Sequence, residues 1–314
     1  MTIEPILVAT WTDGVFVLTG DSQRQELAGQ QVRGLTPDSH GSALTIVNEH
    51  SLCRRSGDGE WSTIATSDLH LACVVNVGNV TYVGTENGAD VLRVSASGEV
   101  SRLGGFDTVA GRDTWFAGSA LINGQVVGPP LGVRSITATS DGVVLLANVH
   151  VGGIPRSTDG GLTWQPTIDV RSDVHEVRAH PSRPGVVIAA AANGLWSSSD
   201  AGATWTGEQA GLHGYHCCAV AFAGDDLLVS AATDHFAAHG ALYRRAIDRG
   251  GPLEPIGGGL PEWLDGIVDT GCIAVRDRAV AMSDRGGNVY VSPDAGRTWS
   301  RRANGLPPAS SVLV

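Results

Sequence analysis

The sequence predicts an all-β protein that forms one seven-bladed β-propeller over residues 1–314. One turn motif occurs three times, as STDGGLTW at 157–164, SSDAGATW at 198–205 and SPDAGRTW at 292–299. Units of short apolar strands recur about every 40 residues, which is the length of one four-stranded propeller blade. The chain also contains 42 glycines but only 5% aromatic residues, a composition that favours many short strands joined by tight turns.

The first copy of the motif shows why it would be repeated. Asp159 can accept hydrogen bonds from backbone N–H groups of its own turn, and Gly161 permits a backbone conformation that residues with a Cβ resist. Thr163 suits re-entry into a strand, and Trp164 offers a large apolar surface for packing between sheets. The motif therefore predicts a hairpin turn with a packing anchor, which is a structural rather than a catalytic element.

These copies resemble the Asp-box, or BNR, repeat of sialidase-like and YVTN-like β-propellers, and SGDGEW at 56–61 resembles a shortened fourth copy. The resemblance implies turns between the third and fourth strands of a blade, on the face opposite the usual ligand site. It implies architecture and not activity, because one fold hosts many functions. Sialidases of this group have six blades, an arginine triad, an Arg-Ile-Pro strand and a tyrosine–glutamate pair. GIPRS at 153–157 lacks that order and Tyr215 has no evident glutamate partner, so sialidase activity is not expected.

Six blades follow one another along the chain, and the seventh combines both ends of the sequence. The N-terminal stretch PILVATWTDGVFVLTG supplies only the later strands of a blade, and the C-terminal SSVLV supplies the missing innermost strand. Such closure leaves no unpaired terminal blade in the ring. The other six units are predicted at 32–66, 69–103, 133–168, 173–208, 214–257 and 268–302.

Residues 104–132 fall between the third and fourth units and are predicted to be a long insertion that enters the ligand face. The insertion could instead be a degenerate eighth blade. It carries Arg112, Asp113, Trp115 and Phe116. These residues are consistent with a lid over the site and equally with simple packing of the two aromatic side chains across the blades.

Composition excludes several classes of partner. The net charge of −11 argues against nucleic acid and anionic membrane surfaces, and no apolar run approaches the length of a membrane span. The start MTIEPILVAT lacks the pattern of a secretory signal. Five cysteines, of which Cys217 and Cys218 are adjacent, make a poor disulfide framework, so a cytoplasmic location is expected. Composition predicts no oligomeric state.

Polar residues concentrate at one rim of the predicted propeller. Aligning the units places Arg33, His70, Arg134, His175 and Cys217 at the starts of innermost strands. The turns between second and third strands reach the same rim. Those turns contribute Glu49, His50, Glu86, Asn87, His150, Asp234, His235, Asp284 and Arg285. With His216, which flanks Cys217, six of the ten histidines map to this rim, whereas His40 and His180 do not.

Imidazoles and carboxylates that converge on one axis are the ligands that a divalent metal ion requires. We expect His150, His175 and His235 to bind one ion, with His70 or His216 as a further ligand or base. Because His175 begins a strand, its replacement by alanine is expected to cost the fold little. The candidate catalytic residues are His70, His216, Arg134, Tyr215 and Glu86, and Asp234 and Glu86 are expected to orient the imidazoles.

Several alternatives remain open from the sequence. The same histidines would suit a metal-free acid–base pocket or an ordinary polar rim. Arg33 and Arg134 could clamp an anionic substrate or pair with Glu49 and Glu86. Cys217, in YHCC, could be a soft metal ligand or a small buried residue.

The sequence is therefore consistent with two functions. The first is a metal-assisted lyase, hydrolase or oxygenase acting on a small molecule at the channel mouth, similar in style of site to the histidine-rich streptogramin lyases. The second is a non-catalytic propeller that binds a ligand or protein.

Overall fold

The computed structural model describes residues 5–38, 41–118, 120–122, 125–128 and 130–314. These residues form seven four-stranded antiparallel sheets and one two-stranded hairpin. The innermost strands of successive sheets contact one another in a closed ring. The protein is therefore a seven-bladed β-propeller, which confirms the fold predicted from the sequence.

The strands follow the predicted units closely. The first blade contains β1 (Ile6–Thr10), β2 (Val15–Thr19) and β3 (Ser22–Glu26). The second contains β4 (Val32–Pro37), β5 (Ala43–Val47), β6 (Ser51–Arg55) and β7 (Trp61–Thr66), and the third β8 (Leu71–Val77), β9 (Val80–Thr85), β10 (Val91–Val94) and β11 (Val100–Arg102). The insertion that follows holds 3-10 helices at Gly104–Thr108 and Arg112–Thr114 and the hairpin of β12 (Ala120–Ile122) and β13 (Gln125–Val127).

Four blades and the closing strand make up the rest of the chain. The fourth blade contains β14 (Val133–Ala138), β15 (Leu145–Val149), β16 (Pro155–Ser157) and β17 (Gln165–Pro166). After a 3-10 helix at Val170–Ser172, the fifth contains β18 (Val174–Ala179), β19 (Val187–Ala191), β20 (Gly194–Ser198) and β21 (Thr206–Glu208). The sixth contains β22 (His216–Ala223), β23 (Asp226–Ala232), β24 (Ala241–Ala246) and β25 (Glu254–Pro255), and the seventh β26 (Ile273–Arg276), β27 (Ala279–Ser283), β28 (Val289–Ser292) and β29 (Ser300–Ala303). The last strand is β30 (Ala309–Leu313).

The C-terminal strand β30 closes the ring. It pairs antiparallel with β1, in the register Leu7↔Leu313 and Val8↔Val312, and it is the innermost strand of the first blade. Ser310 donates a hydrogen bond to the carbonyl oxygen of Val32 in the second blade. The closing strand is thus hydrogen-bonded to its own blade and to the next one. This confirms the prediction that the two ends of the chain share one blade.

The three full copies of the repeated motif form nearly identical turns between the third and fourth strands of their blades. In the fifth blade, Asp200 accepts hydrogen bonds from the backbone N–H of Thr204 (2.9 Å), from its hydroxyl (2.6 Å) and from the Ser198 hydroxyl (2.8 Å). The hydroxyl of Ser198 also accepts a bond from the amide of Gly202 (2.8 Å). These bonds favour the carboxylate and lower the pKa of Asp200 to about 2. Asp159 and Asp294 make the corresponding contacts with Thr163 and Thr298.

The insertion packs partly into the core. Trp115 is buried against Phe106, with ring centroids 5.6 Å apart, and Phe106 makes an edge contact with Trp164 at 5.0 Å. Phe116 is exposed. The described part of the insertion has two strands rather than the four of a blade. In the described residues, no helix is both long and apolar enough for a membrane span.

Deleting residues 310–314 should expose the edge of β1 and the apolar surface around Val312, which is buried. Burial of one such side chain is worth about 1.5–3 kcal/mol, so the loss should exceed about 3 kcal/mol once the strand hydrogen bonds are included. Thermal melting and size-exclusion chromatography should show a destabilised or aggregated product. Deletion of Val314 alone, which lies outside the strand, is the control, and unchanged melting of the longer deletion would contradict the closure.

Asp200→Ala should lower the free energy of unfolding by about 1–2 kcal/mol, since a lost turn acceptor resembles a lost helix cap. Urea unfolding measures this change. Asp225→Ala is the matched control, because Asp225 is exposed and its ion pair with Arg183 is long at 3.9 Å, so we expect less than about 0.5 kcal/mol. Equal effects of the two substitutions would show that the turn hydrogen bonds contribute nothing.

Candidate functional site

The starts of the innermost strands and the turns between second and third strands lie at the same end of the propeller, because antiparallel strands alternate in direction. We call this end the channel face. His180 lies between β18 and β19, at the opposite end, where its Nε2 atom bonds the Gly224 carbonyl at 3.2 Å. His40 lies outside the described residues.

Two of the sequence-predicted residues sit on β-bulges. In β14, Val133 and Ser135 oppose the consecutive residues Val149 and Asn148, so Arg134 is the extra residue. In β18, His175 is extra in the same way, between Val174 and Glu176. A bulge redirects the side chain of the extra residue and is common beside functional sites.

The bulges place Arg134 and His175 in a group of side chains that also contains His150, Asp173 and His216. We call these five residues the axial cluster. Asp173 Oδ1 lies 3.0 Å from His150 Nε2 and 3.7 Å from His175 Nε2. The His175 ring lies 5.1 Å from that of His150 and 4.7 Å from that of His216. The metal-ligating atoms of His150, Asp173 and His175 all lie within 4.8 Å of one another.

Asp173 was not predicted from the sequence, and its backbone is unusual. It follows the 3-10 helix at Val170–Ser172 with a φ of 50°, in the left-handed region that non-glycine residues seldom adopt. Its Oδ1 atom is buried and receives no well-aligned hydrogen bond from the described residues. Burial acts to raise the pKa of Asp173, but the adjacent His150, His175 and Arg134 outweigh it and lower the pKa. The site thus holds a partly exposed carboxylate whose buried Oδ1 atom lies beside two imidazoles.

His175 has a fixed tautomer. Its Nδ1 atom lies 2.6 Å from the carbonyl oxygen of Cys217, so Nδ1 carries the proton and Nε2 presents a lone pair towards Asp173. Burial and then the charge of Arg134 hold the pKa of His175 well below its usual value, and burial likewise lowers the pKa of His216. Both imidazoles are therefore neutral near pH 7.

Burial corrects one expectation about His175. Its side chain is only 3% exposed, so replacement by alanine would leave a cavity and an unpaired Cys217 carbonyl. Its position at the start of a strand predicted a small loss of stability for His175→Ala. The loss should be larger, because the neighbouring blade covers the imidazole ring.

Arg134 pairs with Asp269, at 2.9 Å, rather than with the glutamates considered from the sequence. It also contacts the Thr270 hydroxyl at 3.0 Å and His150 Nε2 at 3.2 Å. Burial acts to raise the pKa of Asp269, but Arg134, the Thr270 amide and Arg285 lower it to about 2. Asp269 is a second residue of the site that the sequence did not identify.

His70 lies in a different group. Its Nδ1 atom is 2.8 Å from Glu49 Oε2, and its ring is 4.9 Å from that of His50. Arg33 joins this group through Glu86 at 2.9 Å and Glu49 at 3.5 Å, the pairing considered from the sequence. Glu86 was expected to orient an imidazole, but its bond is to Arg33, because the guanidinium lies between the two glutamates.

His235 and Tyr215 lie near the axial cluster but outside its close contacts. His235 packs on Phe236, with ring centroids 3.9 Å apart, and belongs to neither group of converging metal-ligating atoms in the described residues. The Asp234 carboxylate accepts the Phe236 amide at 2.9 Å rather than orienting an imidazole. Tyr215 precedes His216 and is half exposed.

All five cysteines are free and buried. Burial raises the pKa of Cys217 to about 12 and also raises that of Cys218, whose Sγ atom lies 3.6 Å from His175 Nδ1. A protonated thiol is a poor nucleophile, so these residues act as small core residues beside the site. The atoms of Cys218, His175 and His216 nevertheless form a second group of converging metal-ligating atoms.

Comparisons with known proteins identify the fold and nothing narrower. No family model and no protein with a curated description matches the sequence. Among solved structures, streptogramin B lyase is similar over 88% of this chain and 83% of its own, with 10% identity and a TM-score of 0.62. A protein assigned as a 6-phosphogluconolactonase from Bacteroides uniformis covers 98% of both chains, with 14% identity and a TM-score of 0.65. The GH74 xyloglucanase of Xanthomonas campestris is similar over 94% of this chain but 46% of its own, with 18% identity and a TM-score of 0.59.

The insertion lies directly on His150. A Cβ atom at Gly118 would stand 1.9 Å from His150 Nδ1, so Gly118→Ala should displace the imidazole or the insertion. Nuclear magnetic resonance of the His150 ring should show the shift. Gly104→Ala, in the same insertion but with no atom within 4 Å of its Cβ position, is the control. Identical His150 resonances in both variants would mean that the insertion does not contact the ring in solution.

Proposed function

We propose that this protein is an enzyme that acts on a small molecule at the mouth of the propeller channel, with a divalent metal ion held by His150, Asp173 and His175. One observation carries the proposal: the ligating atoms of these residues lie within 4.8 Å of one another, and they come from two neighbouring blades. The ligand set keeps two of the three histidines expected from the sequence and replaces His235 by Asp173.

The donor set suits a divalent transition ion. Two imidazoles and one carboxylate bind such ions and leave further coordination positions open to substrate. The carbonyl of Cys217 fixes His175 with Nε2 available, and metal-bound histidines usually donate their other N–H in this way. Arg134 Nη1 lies 3.2 Å from His150 Nε2, so ion binding requires the guanidinium to turn further towards Asp269.

The residues around this ligand set have distinct roles in the proposal. A bound ion would polarise a substrate oxygen or activate a water molecule. His216 is neutral because burial lowers its pKa, so it can accept a proton from a substrate beside His175. Arg134, held by Asp269, can stabilise negative charge that develops on the substrate. These groups suit a lyase or a hydrolase, and an oxygenase if the ion is redox-active.

Similar folds support an enzymatic role, and the repeated turns support a family assignment that concerns architecture alone. A lyase and a protein assigned as a lactonase share its fold, although at 10% and 14% identity they share no demonstrated activity with it. The hydrogen bonds that Asp159, Asp200 and Asp294 share support our proposal that the chain belongs to the Asp-box propellers. That assignment places these turns on the face opposite the site.

A second candidate function is a binding propeller without chemistry, and the surface of the channel face favours it. Exposed large apolar side chains concentrate there, whereas Val143 and Leu162 lie at the opposite end. Exposed apolar side chains that gather at one end of a protein are consistent with an interaction site there. The residues on the channel face are Trp11, Leu69, Phe116, Tyr215, Phe236 and Trp263.

Protein purified without an affinity tag should contain at least one equivalent of a transition metal per chain. Asp173→Asn and His150→Gln should each weaken binding by at least about tenfold, because each removes a ligand. Elemental analysis and calorimetric titration of the metal-stripped protein measure these changes. His239→Gln, a substitution on the channel face outside the cluster, is the control. Wild-type protein that neither carries nor binds metal at micromolar concentration would refute the metal site and leave the metal-free pocket or the binding propeller.

A further inference from the structure

The second histidine group on the channel face has features of a metal site of its own. His50 lies in the turn between β5 and β6 of the second blade, and His70 lies just before β8 of the third blade. Their ring centroids are 4.9 Å apart with a tilt of 59° between the planes. Neither residue belongs to the axial cluster. We call His50 and His70 the rim pair.

Hydrogen bonds fix the tautomers of both rings. His70 Nδ1 lies 2.8 Å from Glu49 Oε2, and His50 Nδ1 lies 3.0 Å from the Ser67 carbonyl oxygen. Carboxylate and carbonyl oxygens only accept hydrogen bonds, so both Nδ1 atoms must donate. Each ring is left with its lone pair on Nε2. Histidines that bind metals typically have this arrangement, in which the other nitrogen donates to a carboxylate or backbone carbonyl.

The spacing of the rings also suits one shared ion. Two imidazoles bound through metal–nitrogen bonds of about 2.0–2.1 Å have ring centroids roughly 5 Å apart at a tetrahedral angle. The rim pair is accessible, since His50 is exposed and the His70 side chain is 41% exposed. A groove of about 590 Å³ opens beside His50 and is lined by His50, Thr66, Ser67, Asp68 and Val100.

The charges around the rim pair favour a cation. Glu49, Glu86 and Asp68 carry three negative charges against the single positive charge of Arg33, which is buried between the two glutamates. The axial cluster is balanced instead, because Arg134 and Arg285 offset Asp173 and Asp269. A divalent ion therefore meets a more favourable local charge at the rim pair.

The turn that carries Glu49 has a strained backbone, and this conformation positions the Glu49 carboxylate beside His70. Asn48 and Glu49 have φ values of 48° and 63°, both in the left-handed region, and the His50 amide bonds the Val47 carbonyl. Turns of this kind favour asparagine and glycine, and a glutamate at the second position costs free energy. The conformation places the Glu49 carboxylate on both His70 and Arg33.

We propose that His50 and His70 form a second metal site, which binds a divalent transition ion such as zinc, copper or nickel through their Nε2 atoms. Imidazole ligands select these ions over magnesium or calcium, which prefer oxygen. Water completes the coordination, and Glu49 is a positioning residue. This site is separate from the axial cluster and does not depend on the proposed enzymatic function.

The test uses zinc chloride and full-length, tag-free protein stripped of metal. Asp173→Asn serves as the background, because it removes a ligand of the axial cluster and changes no residue of the rim pair or its groove. Calorimetry should show about one zinc equivalent bound to this background. Adding His50→Gln or His70→Gln should weaken that binding at least about tenfold, whereas adding His239→Gln should not change it. Circular dichroism checks that each variant is folded.

A spectroscopic measurement tests the geometry independently of affinity. In ¹⁵N-histidine spectra of the Asp173→Asn protein, zinc should shift the Nε2 resonances of His50 and His70 while their Nδ1 atoms remain protonated. The proposal is overturned if this protein binds no zinc, if neither rim substitution weakens binding, or if the Nε2 resonances stay unchanged. The axial cluster is judged separately by the difference in zinc stoichiometry between wild type and Asp173→Asn.

Discussion

The arrangement of this protein depends on the pairing of β30 with β1. Residues about 300 positions apart in sequence meet there, and the pairing turns a row of seven sheets into a ring. Only a closed ring brings the fourth, fifth and seventh blades around one axis. Asp269, which precedes β26, reaches Arg134 of β14 across that axis. The candidate site is therefore a property of the ring and of no single blade.

The channel face contains two histidine groups that differ in burial and in the charge of their surroundings. In the axial cluster, desolvation lowers the pKa values of His175 and His216 and so disfavours positive charge on these two rings. At the rim, His50 and His70 remain accessible, and acidic side chains outnumber basic ones. One propeller end thus carries both a partly desolvated histidine cluster and an open groove with an excess of acidic side chains.

The sequence was sufficient to predict the fold because the blades repeat one pattern of short apolar strands and tight turns. The Asp200 turn and its two full equivalents mark the end of the third strand, so the blade units could be placed to within a few residues. The site was predicted only in part. His150 and His175 were found because they align with strand starts and turns, but a bulge does not show in an alignment of strands. Asp173 and Asp269 were missed because they lie in the connections before innermost strands, where blades differ in length.

The burial of the five cysteines also affects how the ring can be studied. Cys53 belongs to β6, Cys73 to β8, Cys217 and Cys218 to β22, and Cys272 precedes β26. Burial raises their pKa values, so a thiol reagent reacts at a useful rate only after a blade opens to solvent. The native cysteines of four blades are thus built-in reporters of local opening, and alkylation kinetics can show which part of the ring separates first.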